Sequence, residues 1–163
     1  MAIRKLVELG EEKLRKISKP VDKFDLRLRI LLKDMADTMY KAEGVGLAAP
    51  QVGILRRVVV VDIGDGLIEM VNPEIISFSG EQTGPEGCLS VPGRRAIVTR
   101  PNEVTVRYQD RNGDEYEATA EGFLARAFCH EIDHLDGVIY VDKMDREIFD
   151  DDDYEDDEEE EEE

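Results

Sequence analysis

The sequence predicts an α+β fold, with antiparallel and mixed β-sheets packed around a central helix that carries the pentapeptide His130-Glu131-Ile132-Asp133-His134. Three observations lead there. Residues 25–41 repeat their apolar side chains at helical spacing, short β-branched segments fill residues 58–120, and residues 121–136 read as a second helix, apolar over most of its surface. A helix that is apolar nearly all round belongs inside a fold, so the sheets are expected to enclose it.

In chain order, residues 11–18 read as a short helix that stops before Pro20, because the residue preceding a proline is pushed out of helical geometry. In residues 25–41, Leu28, Leu31, Leu32, Met35 and Met39 recur at three- and four-residue steps, with Arg27, Arg29, Lys33 and Asp37 between them. That stripe faces a core. The run Gly44-Val45-Gly46-Leu47-Ala48-Ala49-Pro50-Gln51-Val52-Gly53 is too rich in glycine and small residues for a stable helix and reads as a loop or irregular edge. Strands are expected at 58–62, 67–71, 74–78, 96–99, 104–109 and 115–120, the last two forming a hairpin through Asn112-Gly113. Gly137 is placed to end the helix at 121–136, and residues 142–150 read as one or two further helical turns.

A chain of 163 residues suits one domain, 1–149, followed by an acidic tail, 150–163. The formal charge of −18 is concentrated in that tail, which holds 13 acids and no base, so the body carries only −5. The tail has too little apolar content to fold and repels itself, and disorder is expected there. A net-negative body without a clustered basic stripe is ill suited to phosphates, which argues against direct nucleic-acid binding. No apolar run approaches the roughly 20 residues that span a bilayer. The opening Met1-Ala2-Ile3-Arg4-Lys5 lacks the apolar stretch of a secretory signal, so no membrane association and a cytoplasmic location are expected. In that reducing compartment Cys88 and Cys129 are expected as thiols or metal thiolates, not as a disulfide.

The only two histidines, His130 and His134, lie four residues apart on the second helix, so both face one side and can grip one divalent ion. Glu131 sits close enough on that side to take a proton from an activated water without being a ligand. This is the spelling of metal-assisted hydrolysis, although two histidines on a buried helix are also compatible with hydrogen-bonded core residues. A catalytic site needs a third protein ligand, and Cys88, within Glu86-Gly87-Cys88-Leu89-Ser90, is the best candidate because a thiolate suits zinc or ferrous iron. Cys129 competes, but it precedes His130 directly and points roughly 100° away, as a packed neighbour would. Asp133 and Asp136 fit either the solvated side of the helix or hydrogen bonds to a histidine N–H.

Three separated segments, Gly44-Val45-Gly46-Leu47-Ala48-Ala49-Pro50-Gln51, Glu86-Gly87-Cys88-Leu89-Ser90 and His130-Glu131-Ile132-Asp133-His134-Leu135, resemble the motifs of peptide deformylases, in that family's order. The resemblance runs from the first strand to about Met144. It implies hydrolytic removal of the formyl group from the N-terminal formylmethionine of new polypeptides, with release of formate. It implies a metal held by Cys88, His130 and His134, with ferrous iron as the usual ion and zinc, nickel or cobalt as substitutes. Glu131 would serve as base and then acid, with the side-chain amide of Gln51 and the backbone N–H of Leu89 steadying the oxyanion.

The same resemblance implies that backbone groups near Val45, Gly46 and Gly87 pair with an extended peptide, leaving side chains beyond the first weakly selected. Phe123 and Ala127, seven and three residues before His130, are candidate walls for the methionine side chain, and Arg95 a candidate contact to the peptide backbone or end carboxylate. Arg126 is expected at the pocket rim, where many relatives carry an aliphatic residue. Cys129 replaces the glutamine common before the first histidine. Partners are formylmethionyl nascent peptides, reached in transient association with the ribosome, but the basic C-terminal docking helix of some relatives does not carry over to an acidic tail. Two rivals remain at this level: a zinc endopeptidase, which shares the helical spelling but not the cysteine, and a noncatalytic metal-binding module. Gly44-x-Gly46 follows a helix and precedes a proline, which argues against a dinucleotide fingerprint.

Overall fold

The four consecutive valines of strand β2 (Val58–Val61) set the plan of the molecule. Side chains alternate across a strand, and all four are fully buried, so apolar material must cover both faces. Val58 and Val60 pack with Leu28, Leu31, Leu32, Met35 and Met39 of helix α1 (Leu26–Lys41). Val59 and Val61 pack on the other face with Ala125, Phe128, Ile132 and Leu135 of helix α2 (Gly122–Leu135). The structure, a computed structural model, describes residues 2–149; the expected disorder of residues 150–163 lies outside the described residues.

Strand β2 belongs to a five-stranded sheet that also contains β1 (Gly46–Ala48), β3 (Ile68–Ser79), β6 (Glu103–Gln109) and β7 (Glu115–Glu121), in the order β1-β2-β3-β6-β7. A second sheet is formed by β4 (Gln82–Cys88), β5 (Val91–Arg100) and β8 (Met144–Ile148), in the order β4-β5-β8. All of these pairings are antiparallel, and among the described residues the parallel contact is an isolated bridge between Lys19 and Arg56. Helix α2 lies against the large sheet and meets the small one through Glu86 and Cys88 of β4, so the expected α+β architecture around a central helix is what the chain adopts.

Helix α1 starts where its pattern says it should. The carboxylate of Asp25 accepts the N–H of Leu28 at 3.1 Å, satisfying one of the free amides of the first turn. Helix α2 ends at Gly137, whose φ of 74° needs a residue without a Cβ, and the guanidinium of Arg57 donates to the carbonyl of Leu135 at 3.2 Å. The Asn112-Gly113 hairpin forms as read, with Gln109 opposite Glu115.

Five expectations are corrected. The helix at 11–18 is one 3₁₀ turn, Glu12–Arg15, because the chain there bonds to other elements: Leu9 N–H to Ser90 O and Ser18 N–H to Leu135 O. The glycine-rich run contains strand β1, then a 3₁₀ turn, Ala49–Val52. Segments 67–71 and 74–78 are one strand, β3, broken in register at Asn72, which takes a φ of 52° and exchanges hydrogen bonds with the backbone of Val21. Strand β4 was not expected, since Gly84, Pro85 and Gly87 lower its propensity; it pairs only with β5, and an edge tolerates proline. Residues 142–148 are not helical: a 3₁₀ turn, Tyr140–Asp142, leads into β8, which pairs with β5.

Gly137 also lets residues 12–15 close onto the end of α2. A Cβ there would lie 2.3 Å from the carbonyl oxygen of Arg15, a backbone atom that cannot swing aside. Gly137→Ala combines left-handed strain with overpacking and should lower stability by at least about 2 kcal/mol. A fall in the urea midpoint at unchanged m-value is the expected readout.

Candidate active site

Helix α2 places His130 and His134 one turn apart, with ring centroids 5.0 Å apart and planes at 70°. Strand β4 brings Cys88 to them at a register shift beside Gly87, and its Sγ lies 3.3 Å from His134 Nε2. The ligand atoms of Cys88, His130 and His134 all fall within 4.8 Å of one another. Two imidazoles and a thiol are a donor set for a borderline-soft divalent ion. Cys88 and Cys129 are both free thiols; Cys129 packs in the core between sheet and helix, and burial pushes its thiol up to about 11.

The tautomer of His130 follows from its neighbour. Glu86, buried, has its Oε1 2.8 Å from His130 Nδ1. Burial alone would raise this carboxyl, but hydrogen bonds from Arg100 and His130 overcome it and hold Glu86 well below the usual carboxylate range. An ionised carboxylate only accepts, so Nδ1 carries a proton toward Glu86 and Nε2 is the ring nitrogen left facing the cluster. Arg100 grips the same carboxylate through Nε at 2.8 Å and Nη2 at 2.9 Å, and Arg126 adds Nη1 at 2.6 Å.

His134 is fully buried, and burial together with the proximity of His130 and Arg100 drives its pKa well below the ordinary value, so it is a neutral donor. For His130 burial pulls the same way but loses to the nearby Glu131 and to hydrogen bonds with Cys88 and Glu86, which raise it. Burial pushes Glu131 up to about 7, which suits a group that must both take and return a proton near neutrality. Its Oε2 lies 3.9 Å from His130 Nε2, while its Oε1 is buried without a hydrogen-bond partner in the described chain. A buried acceptor with nothing to accept is the atom expected to meet a water or substrate proton at a metal centre.

Gln51 is held beside the cluster. The N–H of Ala48 donates to its Oε1 at 2.9 Å, so its amide NH₂ must be the end that faces Cys88 Sγ at 3.4 Å and Ser90 Oγ at 3.1 Å. Leu89 follows Cys88 in the turn between β4 and β5, its side chain pressed against Gly44, where a Cβ would come within 2.7 Å of Leu89 Cδ1. Gly46 stands over Glu131: a Cβ there would lie 2.5 Å from Glu131 Oε2. Val45 is exposed beside them, and its carbonyl accepts the N–H of Asp62. Gly87 pairs with Arg95, whose Cγ is 3.7 Å from the position of a Gly87 Cβ. Phe123 is 53% exposed at the start of α2, whereas Ala127 is buried in the core.

Arg126 is not at a pocket rim. It is 5% exposed and points from α2 onto Glu86, because a buried carboxylate there is a stronger attraction for a guanidinium than the surface. Asp133 and Asp136 do not touch a histidine N–H either: Asp133 accepts Arg100 at 2.6 Å and Lys143 at 3.1 Å, and Asp136 accepts Arg57 at 3.0 Å. The residues that sequence reasoning missed are Glu86, Arg100 and Ser90. Glu86 stood in the quoted Cys88 motif, but only the fold brings it to His130.

An α+β fold with His-Glu-x-x-His on its enclosed helix and a cysteine delivered from a sheet edge defines a metal-dependent hydrolase. Comparison with known proteins narrows that class. The model of the polypeptide deformylase family matches residues 3–148. The peptide deformylase of Caldicellulosiruptor bescii is 60% identical over 146 residues, covering 90% of this chain and 88% of that protein. Crystal structures of peptide deformylases from Legionella pneumophila (TM-score 0.85, 52% identity, 88% of this chain and 86% of that one) and Thermotoga maritima (0.87, 41%, 88% and 99%) share the fold. The chain belongs to the polypeptide deformylase family.

The contact between Gly46 and Glu131 can be tested directly. Gly46→Ala should displace the carboxylate of Glu131 without touching Cys88, His130 or His134. We expect metal content to be retained and kcat to fall on the order of a hundredfold, the usual effect of a misplacement near 1 Å. Elemental analysis beside steady-state kinetics separates the two.

Proposed function

We propose that Cys88, His130 and His134 hold one divalent ion, and that Glu131, Gln51 and Leu89 perform the family's reaction there. The reaction is hydrolysis of the formyl group from the N-terminus of newly made polypeptides, with release of formate. The observation that carries this reading is the three donor atoms within 4.8 Å of one another, flanked by a buried carboxylate oxygen with no partner of its own. When bound, the ion supplies Lewis-acid polarisation at the formyl oxygen and acidifies water.

The rest is the work of this chain. Glu131 takes a proton from the water that attacks the formyl carbon, then returns a proton to the amine nitrogen as the C–N bond breaks. The products are formate and a free N-terminus. The NH₂ of Gln51, whose orientation is set by Ala48, and the backbone N–H of Leu89 donate to the oxyanion as charge develops on it. The peptide lies extended between Val45-Gly46 and Gly87, with Arg95 over the latter and the methionine side chain against Phe123 and Ala127. Backbone recognition of this kind leaves later side chains weakly selected, as a processing step on many different nascent chains requires.

Ferrous iron is the ion we assign, as the family resemblance implies; the mixed imidazole and thiolate donors suit it and zinc alike, and zinc, nickel or cobalt would be substitutes. Among the described residues no helix is long and apolar enough to cross a membrane, and we place the reaction in the cytoplasm, in transient association with the ribosome.

The decisive experiment is mass spectrometry of a formylmethionyl peptide incubated anaerobically with iron- or nickel-loaded protein. We expect loss of the formyl group alone, and a fall of about 10²–10⁴-fold in turnover for Glu131→Ala with metal still bound. An internal cut would favour an endopeptidase, and turnover that survived Glu131→Ala would remove the assigned acid and base. Oxygen gives a second check, since ferrous iron beside a thiolate invites oxidation of both. Iron-loaded protein should lose activity in air while the nickel form keeps it; full activity of the iron form after long aeration would contradict the assignment.

A further inference from the structure

Tyr140 is buried beside the metal cluster but has no part in the chemistry so far described. Its ring stacks on the imidazole of His130, with centroids 5.9 Å apart and planes within 28°, an offset geometry favoured between aromatic rings. Its own position is fixed at both ends. The hydroxyl donates to the carbonyl of Arg94 at 3.0 Å, and the ring is packed among Leu14, Val91, Val98 and Ile139.

Glu86 anchors the imidazole at one atom, Nδ1. A ring held by hydrogen bonds along its edge can still tilt out of its own plane, and a tilt carries Nε2 away from Cys88 and His134. His134 meets His130 nearly edge-on and so does not supply a flat support. Tyr140 does, from the 3₁₀ turn that follows α2. We propose that Tyr140 is a positioning residue for His130: its ring sets the plane of the imidazole and keeps Nε2 within the donor set. The inference rests on the assignment of Cys88, His130 and His134 as the metal ligands.

The test uses the full chain and zinc, which is diamagnetic. Tyr140→Met keeps most of the volume and removes the flat ring; Tyr140→Phe keeps the ring and removes the hydroxyl. In a chelator competition we expect zinc binding roughly tenfold weaker in the Met variant, the low end of what supporting residues contribute, and unchanged in the Phe variant. With only two histidines in the chain, NMR of the zinc-loaded wild type should show one imidazole with ring protons shifted upfield by the stacked tyrosine, and the shift should vanish in Tyr140→Met. A folded Met variant with wild-type zinc affinity overturns the proposal, as do equal losses in both variants, which would place the effect on the hydroxyl. Should the Met variant not fold, a wild-type spectrum with neither imidazole shifted overturns it. Tight zinc binding by His130→Ala would overturn the ligand assignment itself, a result distinct from all of these.

Discussion

The carboxylate of Glu86 is the interaction on which the site depends. It is buried between β4 and α2, and each of its oxygens has two donors: Arg100 and His130 on Oε1, Arg100 and Arg126 on Oε2. An ion in such a place is costly unless every acceptor position is filled, and here every one is. Arg126 and His130 are four residues apart on α2, so one turn of the helix closes on both oxygens while the bidentate guanidinium of Arg100 reaches in from β5. The result ties the helix that bears His130 and His134 to the strand that bears Cys88. Asp133 and Lys143 extend the network to the surface, leaving Arg100 shared between two carboxylates.

Much of this was legible in the chain, for reasons that can be assigned. Helix α1 announced itself through Leu28, Leu32, Met35 and Met39, because helical period is local. The histidine pair was legible because i and i+4 share a face whatever surrounds them. Cys88 was chosen for its chemistry and not its location, and the structure brings it to His134.

What escaped were features decided by partners distant in sequence. Strand β4 contains Gly84, Pro85 and Gly87 and exists because β5 pairs with it; β8 looked helical until it met the other edge of β5. Arg126 was misplaced because a cation on a helix is ordinarily exposed, and only the presence of Glu86 makes burial favourable. Tyr140 gave no signal at all, since an aromatic after a helix-ending glycine is ordinary core material. The glycines were half legible: their number marked an irregular segment, but that Gly44 clears Leu89 and Gly46 clears Glu131 is a fact of packing.

Strands β1 and β4 are the terminal strands of their sheets, and the cluster of Cys88, His130 and His134 lies where these two borders approach, with Gly46 of β1 on one side and Cys88 of β4 on the other. A border strand is an open template that invites other chains, including copies of the same protein. Here both borders are poor templates for self-association: β1 is three residues long, and β4 is interrupted by a proline and two glycines. They leave a few backbone groups unpaired and too little continuous ladder to nucleate a fibre. The weak strand propensity that hid β4 in the sequence is thus also what keeps this open border from pairing with a second copy of the chain.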